Sequence, residues 1–153
     1  MKAYIANDHR GTKYALALVE HLRALGLEVE HLGTKTEDSV DYPDYAKMLG
    51  ERVAAETKGA GADESGVFGI AICGSGAGIC MAINKVKGIR AAVLFNDHIA
   101  KFVKMHNNAN VICFSADTQE LDDVKRYIGL YMDARFEGGR HERRVEKIRE
   151  MEK

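Results

Sequence analysis

The stretch Val67-Phe68-Gly69-Ile70-Ala71-Ile72-Cys73-Gly74-Ser75-Gly76-Ala77-Gly78-Ile79 most tightly limits what this chain can become. Its first seven residues form an apolar run of strand length, the pattern of a strand buried on both faces. Glycines then alternate with other residues, and the helical spacing Ile79, Ala82, Ile83, Val86 takes over. Strand, glycine turn and helix in succession aim backbone N–H groups and a positive helix end at one spot. A thiol, Cys73, stands at the turn. The stretch is therefore expected to form or bind an anion within reach of that sulfur.

The rest of the chain supplies partners for this unit. Ala3–Asn7 reads as a strand with Asp8-His9-Arg10-Gly11 as its exit loop. Ala15, Leu18, Leu22 and Leu25 have helical spacing, and Gly26 is placed to stop that helix. Leu27–Leu32 is a second short strand. Pro43 sits where a helix would start, with Tyr45, Leu49 and Val53 facing inward as far as about Thr57. Lys58–Gly66, with three glycines and no apolar period, is expected to be an exposed loop. Arg90–Phe95 and Val111–Ser115 read as strands; Asp97–His106 and Thr118–Asp133 read as helices. A polar helix closes the chain over about residues 141–152.

No repeat or long linker divides these elements, so residues 1–153 are expected to be a single domain. Strands alternating with helices imply a three-layer α/β/α, Rossmann-like fold around a five-stranded parallel sheet. Right-handed crossovers leave the orders 3-2-1-4-5 and 2-1-3-4-5. The second sets Asp8 and His9 beside Cys73-Gly74-Ser75 at the order switch, where ligands bind, and is the expected order.

Composition narrows the partners. A net charge of −1 gives no global attraction to nucleic acid or an anionic membrane, and no apolar run approaches a membrane span. The N-terminus lacks a signal-peptide pattern, and Cys73, Cys80 and Cys113 contain no CxxC. A reducing cytoplasm is the expected setting. The histidines form no HxxxH or other metal spacing, so no metal is expected.

The glycine turn itself admits more than one reading. The GxGxxG count fails, because its last position is Ile79 or Met81; no Gly-Lys-Ser/Thr follows, and the arginine of a C-x5-R loop is replaced by Ile79. The turn can simply let a strand meet a helix closely, and a free cysteine is often a small buried hydrophobe. Its place ahead of a helix N-terminus instead favours a base or nucleophile.

Ile72-Cys73-Gly74-Ser75-Gly76-Ala77-Gly78 and Asn84-Lys85-Val86-Lys87-Gly88-Ile89-Arg90-Ala91-Ala92 together resemble the ribose-5-phosphate isomerase B and galactose-6-phosphate isomerase family. Asp8-His9, Ser39–Tyr45, His106–Asn110 and Phe136–Val145 match in the same order. Only Lys58–Ser65 stands apart, as an insertion. The resemblance implies aldose–ketose isomerisation of a sugar phosphate through a cis-enediolate, with no metal or organic cofactor. By position, Cys73 is the base moving a proton between C1 and C2, and Ser75 relays a proton at the substrate oxygens where the family usually has Thr. Backbone N–H groups around Gly74, Gly76 and Gly78 would stabilise the enediolate oxygen.

The same resemblance makes His106 the ring-opening group, with Asn107 beside it, both reaching the site from the partner of a homodimer. Pairing of two dimers into a tetramer is a further option, and the closing helix is expected at the dimer interface. Asp8 and Tyr42 match contacts to the sugar, His9 one near the phosphate, and Arg140 and Arg144 the phosphate clamp. The residues alone favour a helix cap or surface residue for His106. They also favour a solvated basic stripe for Arg140 and Arg144, one turn apart.

Asp117 departs from the pattern, since most family members carry a phosphate-binding arginine there. A carboxylate facing the same way would repel a dianion. Arg10, where the family commonly has a small residue, is the candidate for restoring the charge. Ribose 5-phosphate is the expected substrate. The alternatives are allose or galactose 6-phosphate, an unphosphorylated sugar, or a non-catalytic sugar-phosphate-binding protein of the same fold.

Overall fold

A computed structural model describes residues 1–152. Its sheet is parallel throughout and built from β1 (Lys2–Asn7), β2 (Glu28–His31), β3 (Val67–Cys73), β4 (Ala91–Val93) and β5 (Val111–Ser115). The continuous apolar run of β3 is buried at every residue and lies at the centre, paired with β1 on one side and β5 on the other. Side chains alternate across the pleat. Ala3, Ile5, Ile70, Ile72 and Phe114 face one helical layer; Tyr4, Ala6, Ala71, Cys73 and Cys113 face the other.

The first layer contains α1 (Thr12–Ala24), α5 (Asp97–Met105) and α6 (Leu121–Asp133), and the second α2 (Tyr42–Thr57) and α4 (Ala77–Ile83). Ala15, Leu18 and Leu22 are the buried stripe of α1, which stops before Gly26 at φ +85°. Pro43 lies in the first turn of α2, where its missing N–H leaves no helical bond unmade. Asn96 caps α5 by accepting from the Ile99 N–H at 2.8 Å. Residues Arg140–Glu150 form α7. No helix among the described residues is long and apolar enough to cross a membrane.

The strand order is 2-1-3-5-4, which corrects the expected 2-1-3-4-5 at its last two positions. From β3, α4 carries the chain past one empty position to β4, and α5 brings it back so that β5 fills the gap. Reversing direction while keeping a right-handed crossover moves the connection to the opposite face. Accordingly, Ile79 and Ile83 of α4 pack with α2, whereas Ala100 and Val103 of α5 pack with α6 in the cluster on the α1 face of the sheet. The strands fit these positions. Val111–Ser115 is wholly buried, as an interior strand requires, while Ala91–Val93 is short and half-buried, suited to an edge.

Lys58–Gly66 is not merely an exposed loop. Ala62–Ser65 form one helical turn, α3, with Ala62 buried. Asp63 accepts from the Phe136 N–H at 2.7 Å and pairs with the Lys104 ammonium at 2.9 Å and Arg135 at 3.3 Å. Lys104 has no exposed side-chain surface, so a charge there requires this carboxylate. Burial opposes ionisation of Asp63, but the Phe136 N–H and Lys104 outweigh it and hold the carboxyl below its ordinary range.

Candidate active site

The strand order decides what surrounds Cys73. Its sulfur lies at the carboxyl end of β3, between the exit loops of β1 and β5, and the residue is 3% exposed. The Gly76 N–H donates to Cys73 Sγ at 3.2 Å. Ser75, exposed on the turn, accepts from the Ala77 N–H at 3.2 Å through its Oγ. The β5 exit loop clamps this turn. Ser115 Oγ donates to the Gly74 carbonyl at 2.6 Å, the Ala116 N–H to that of Cys73 at 3.0 Å, and the Asp117 N–H to that of Gly74 at 3.0 Å. Cys113, deeper in the same layer, has its thiol pushed well up by burial and by Cys80 and Cys73 beside it.

Two glycines are required by shape. Gly76 holds φ +75°, and a Cβ there would lie 2.8 Å from the Phe114 carbonyl carbon. A Cβ on Gly78 would lie 2.7 Å from the Tyr42 ring, so its absence lets that phenol lie directly over the turn. The glycines thus set the backbone path and admit an aromatic neighbour.

From β1, Asp8 accepts the Arg10 and Gly11 N–H groups at 3.0 and 3.2 Å and fixes the short turn His9–Gly11. His9 Nδ1 accepts from the Val40 N–H at 3.2 Å, which orients its ring. Arg10 donates through Nε to both Asp117 oxygens, at 3.0 and 3.1 Å, and through Nη2 to Oδ1 at 2.7 Å. Asp117 therefore faces Arg10, and the pair lies against Gly74, where a Cβ would come within 2.8 Å of Asp117 Oδ2.

A second group lies elsewhere. His106 ends α5, just before the chain enters β5, whereas Cys73 pairs in register with Ser115 at the far end of that strand. Five strand residues span about 13 Å, so the two side chains belong to opposite ends of the sheet within one chain. Around His106, the His141 ring stacks at a centroid distance of 4.0 Å and an interplanar angle of 6°. Glu137 Oε2 lies 3.6 Å from His106 Nε2 and 3.5 Å from His141 Nε2. Arg140 Nε donates to His141 Nε2 at 3.4 Å. Desolvation, then His106 and Arg140 alongside, push the His141 imidazole below its ordinary range, with Glu137 opposing. Arg140 and Arg144 are exposed on α7, and exposed Asn107 borders a groove with Ala92, Ala109 and Ile148.

The expected residues thus form two sets: Asp8, His9, Arg10, Tyr42, Cys73–Gly78 at one end, and His106, Asn107, Arg140, Arg144 at the other. Sequence reading left out Glu137 and His141 as functional groups, although both lie in the Phe136–Val145 stretch four residues apart. Ligand atoms of His106, Glu137 and His141 fall within 4.8 Å of one another. A metal must lie in the plane of each imidazole that binds it, and two stacked, nearly parallel rings share no such point. Arg140 also occupies His141 Nε2. As placed, this group is suited to holding protons rather than a cation.

A family model described as Ribose/Galactose Isomerase matches residues 3–148. A probable ribose-5-phosphate isomerase B of Mycoplasma pneumoniae is 38% identical over 146 residues, covering 95% of this chain and 91% of that protein. Among solved structures, ribose-5-phosphate isomerase B of Clostridium thermocellum superposes with a TM-score of 0.91 at 39% identity, over 99% of this chain and 97% of that one. The Mycoplasma genitalium enzyme with bound ribulose-5-phosphate superposes at 0.90 and 36% identity, over 99% and 95%.

Proposed function

Because the chain belongs to the ribose/galactose isomerase family, we propose that it interconverts ribose 5-phosphate and ribulose 5-phosphate through a cis-enediolate. The observation that carries this reading is the placement of Cys73 at the carboxyl end of the central strand, with the Gly76 N–H on its sulfur and the Ser75 hydroxyl on the same turn. The reaction moves one proton between C1 and C2 and one between their oxygens. Cys73 serves as the base for the carbon-bound proton, which the adjacent carbonyl acidifies. Ser75 relays the oxygen proton, and N–H groups of the turn stabilise the developing oxyanion. One such donor is worth about 10²–10³ in rate in known oxyanion holes. Protonation of the neighbouring carbon by Cys73 completes the transfer without a covalent intermediate.

Ribose 5-phosphate is a closed furanose and must open first. His106 takes this step, removing the C1 hydroxyl proton and returning a proton to the ring oxygen. The separation of Cys73 and His106 at opposite ends of one sheet supports a shared site, in which a second copy brings His106, Asn107, Arg140 and Arg144 to the Cys73 turn. Its two arginines clamp the phosphate, with His9 near it. Asp8 and Tyr42 hold the sugar. The deciding experiment mixes Cys73→Ala and His106→Ala chains. Each alone is inactive on ribose 5-phosphate, and hybrids regain activity at the one intact site. Failure to recover despite demonstrated subunit exchange overturns the shared site.

The Arg10–Asp117 pair supports a second reading of substrate range. Asp117 spends its charge on Arg10, and the guanidinium edge directed away from it supplies the cation that the family arginine gives elsewhere. Arg10→Ala then raises KM for a phosphorylated sugar far more than for a neutral one. Equal effects on both favour an unphosphorylated substrate, and a panel of pentose and hexose phosphates ranks the remainder. Binding without solvent proton exchange on any of them would mark a non-catalytic binder.

A further inference from the structure

The carboxylate at the Nε2 edges of the two stacked imidazoles has no part in the steps above. Glu137 reaches its position by two independent anchors. Its own N–H donates to the Met105 carbonyl at 3.0 Å, next to His106, and the preceding Phe136 N–H donates to Asp63 at 2.7 Å. The side chain is thereby delivered to Oε2 distances of 3.6 Å from His106 Nε2 and 3.5 Å from His141 Nε2. Among the described residues it is the only acid within ion-pair distance of either ring; the other groups around the pair are Arg140, whose Nε is 3.4 Å from His141 Nε2, Arg144 on the next turn of α7, and the Phe102 ring, its centroid 4.6 Å from that of His106.

Ring opening makes this arrangement matter. The C1–O4 bond breaks, the C1 hydroxyl loses its proton, O4 gains one and the C1 carbonyl forms. The imidazole that carries the proton between the two oxygens is transiently an imidazolium. That cation forms against a second imidazole and beside Arg140, both unfavourable neighbours, and a single carboxylate offsets them. A metal cannot play this role with the rings parallel.

We propose that Glu137 is a positioning residue for ring opening: it orients His106 and balances the charge that His106 acquires while shuttling the proton. The inference rests on His106 being the ring-opening group. It also predicts a division between the two directions of the reaction. Ribulose 5-phosphate, a 2-ketose whose C5 oxygen is phosphorylated, cannot close to a furanose. Its enolisation at C1 therefore needs Cys73 but not the His106–Glu137 unit.

The test compares the intact protein with Glu137→Gln, Glu137→Asp and His106→Ala, in two assays. One follows turnover of ribose 5-phosphate; the other follows solvent deuterium entering C1 of ribulose 5-phosphate. Glu137→Gln keeps the backbone anchors and the shape, and should lower kcat for ribose 5-phosphate by about tenfold or more. Deuterium exchange should stay within about twofold, and Glu137→Asp should recover part of the loss. Equal loss in both assays, or no loss in either while His106→Ala abolishes ribose 5-phosphate turnover, overturns the role of Glu137. Full ribose 5-phosphate turnover by His106→Ala removes the ring-opening reading itself, and the inference with it.

Discussion

The two ends of the sheet are built by different means. At the Cys73 end, mostly main-chain groups do the holding: Gly76 donates to the sulfur, three bonds from the β5 exit, one of them from the Ser115 hydroxyl, fix the carbonyls of Cys73 and Gly74, and two glycines admit close neighbours. At the His106 end, side chains hold one another, with His141 stacked on His106, Glu137 beside the Nε2 atoms of both rings and Asp63 holding the Phe136 N–H. A main-chain site tolerates almost no change of shape and is indifferent to pH in its framework. A side-chain site tolerates shape and depends on charge. In the mechanism proposed above, proton abstraction from carbon, which needs the tighter geometry, is assigned to the first, and proton shuttling between oxygens to the second.

The largest expected effect separates their chemistry. Cys73→Ala should lower both ribose 5-phosphate turnover and C1 exchange on ribulose 5-phosphate by at least about 10³-fold, roughly 4 kcal/mol of barrier. His106→Ala should lower only the first. Equal loss of both activities in His106→Ala would break the comparison, since it would put both groups on one step.

Next come the frameworks. Gly76→Ala forces a Cβ into a left-handed backbone and against the Phe114 carbonyl, 2.8 Å away. A loss of about 3 kcal/mol is expected, read as a fall in the denaturation midpoint, together with lost activity. Asp63→Asn should cost about 2 kcal/mol, because it leaves the fully enclosed Lys104 ammonium without its carboxylate. That contribution has a pH signature. The folded Asp63 carboxyl is held below its unfolded value, so its stabilisation is fully present above the ordinary aspartate value of about 3.9 and is lost as pH falls through the lower folded value. Comparing the two variants across pH sharpens the contrast: the Gly76→Ala deficit should be flat, and the Asp63→Asn deficit should shrink in acid.

What the sequence made legible follows the same division. The run Val67–Cys73, its turn and the helix after it were readable because apolar periodicity and glycine placement are local signals, and β5 falls on the residues expected. The order of β4 and β5 was not, since it depends on which face α5 covers, and that is set by handedness and edge burial rather than by any residue pattern. Asp63 was hidden for a related reason. A glycine-containing segment with no period reads as a loop, and only the fold brings Lys104 and the Phe136 N–H to it. Glu137 and His141 stand four apart, but Glu137 precedes α7, so neither spacing nor helix face announces that His106 stacks there.

The smallest expected effect concerns the Arg10–Asp117 pair, where two charged side chains meet against the turn at the main-chain end. Both side chains are largely in water, 56% and 40% exposed, and a solvent-screened surface pair of this kind adds little to stability even with bidentate geometry. Arg10→Ala and Asp117→Ala should each leave the denaturation midpoint nearly unchanged, with a small coupling in the double variant that fades as salt is added. Any larger effect should appear in substrate binding. Asp117→Ala frees the guanidinium from its anchor while keeping its charge, so KM for the sugar phosphate should rise less than in Arg10→Ala. If Asp117→Ala instead lowers KM, the carboxylate repels the phosphate more than it orients Arg10. The charged element at the Cys73 end would then be a source of discrimination against dianions rather than a clamp for them.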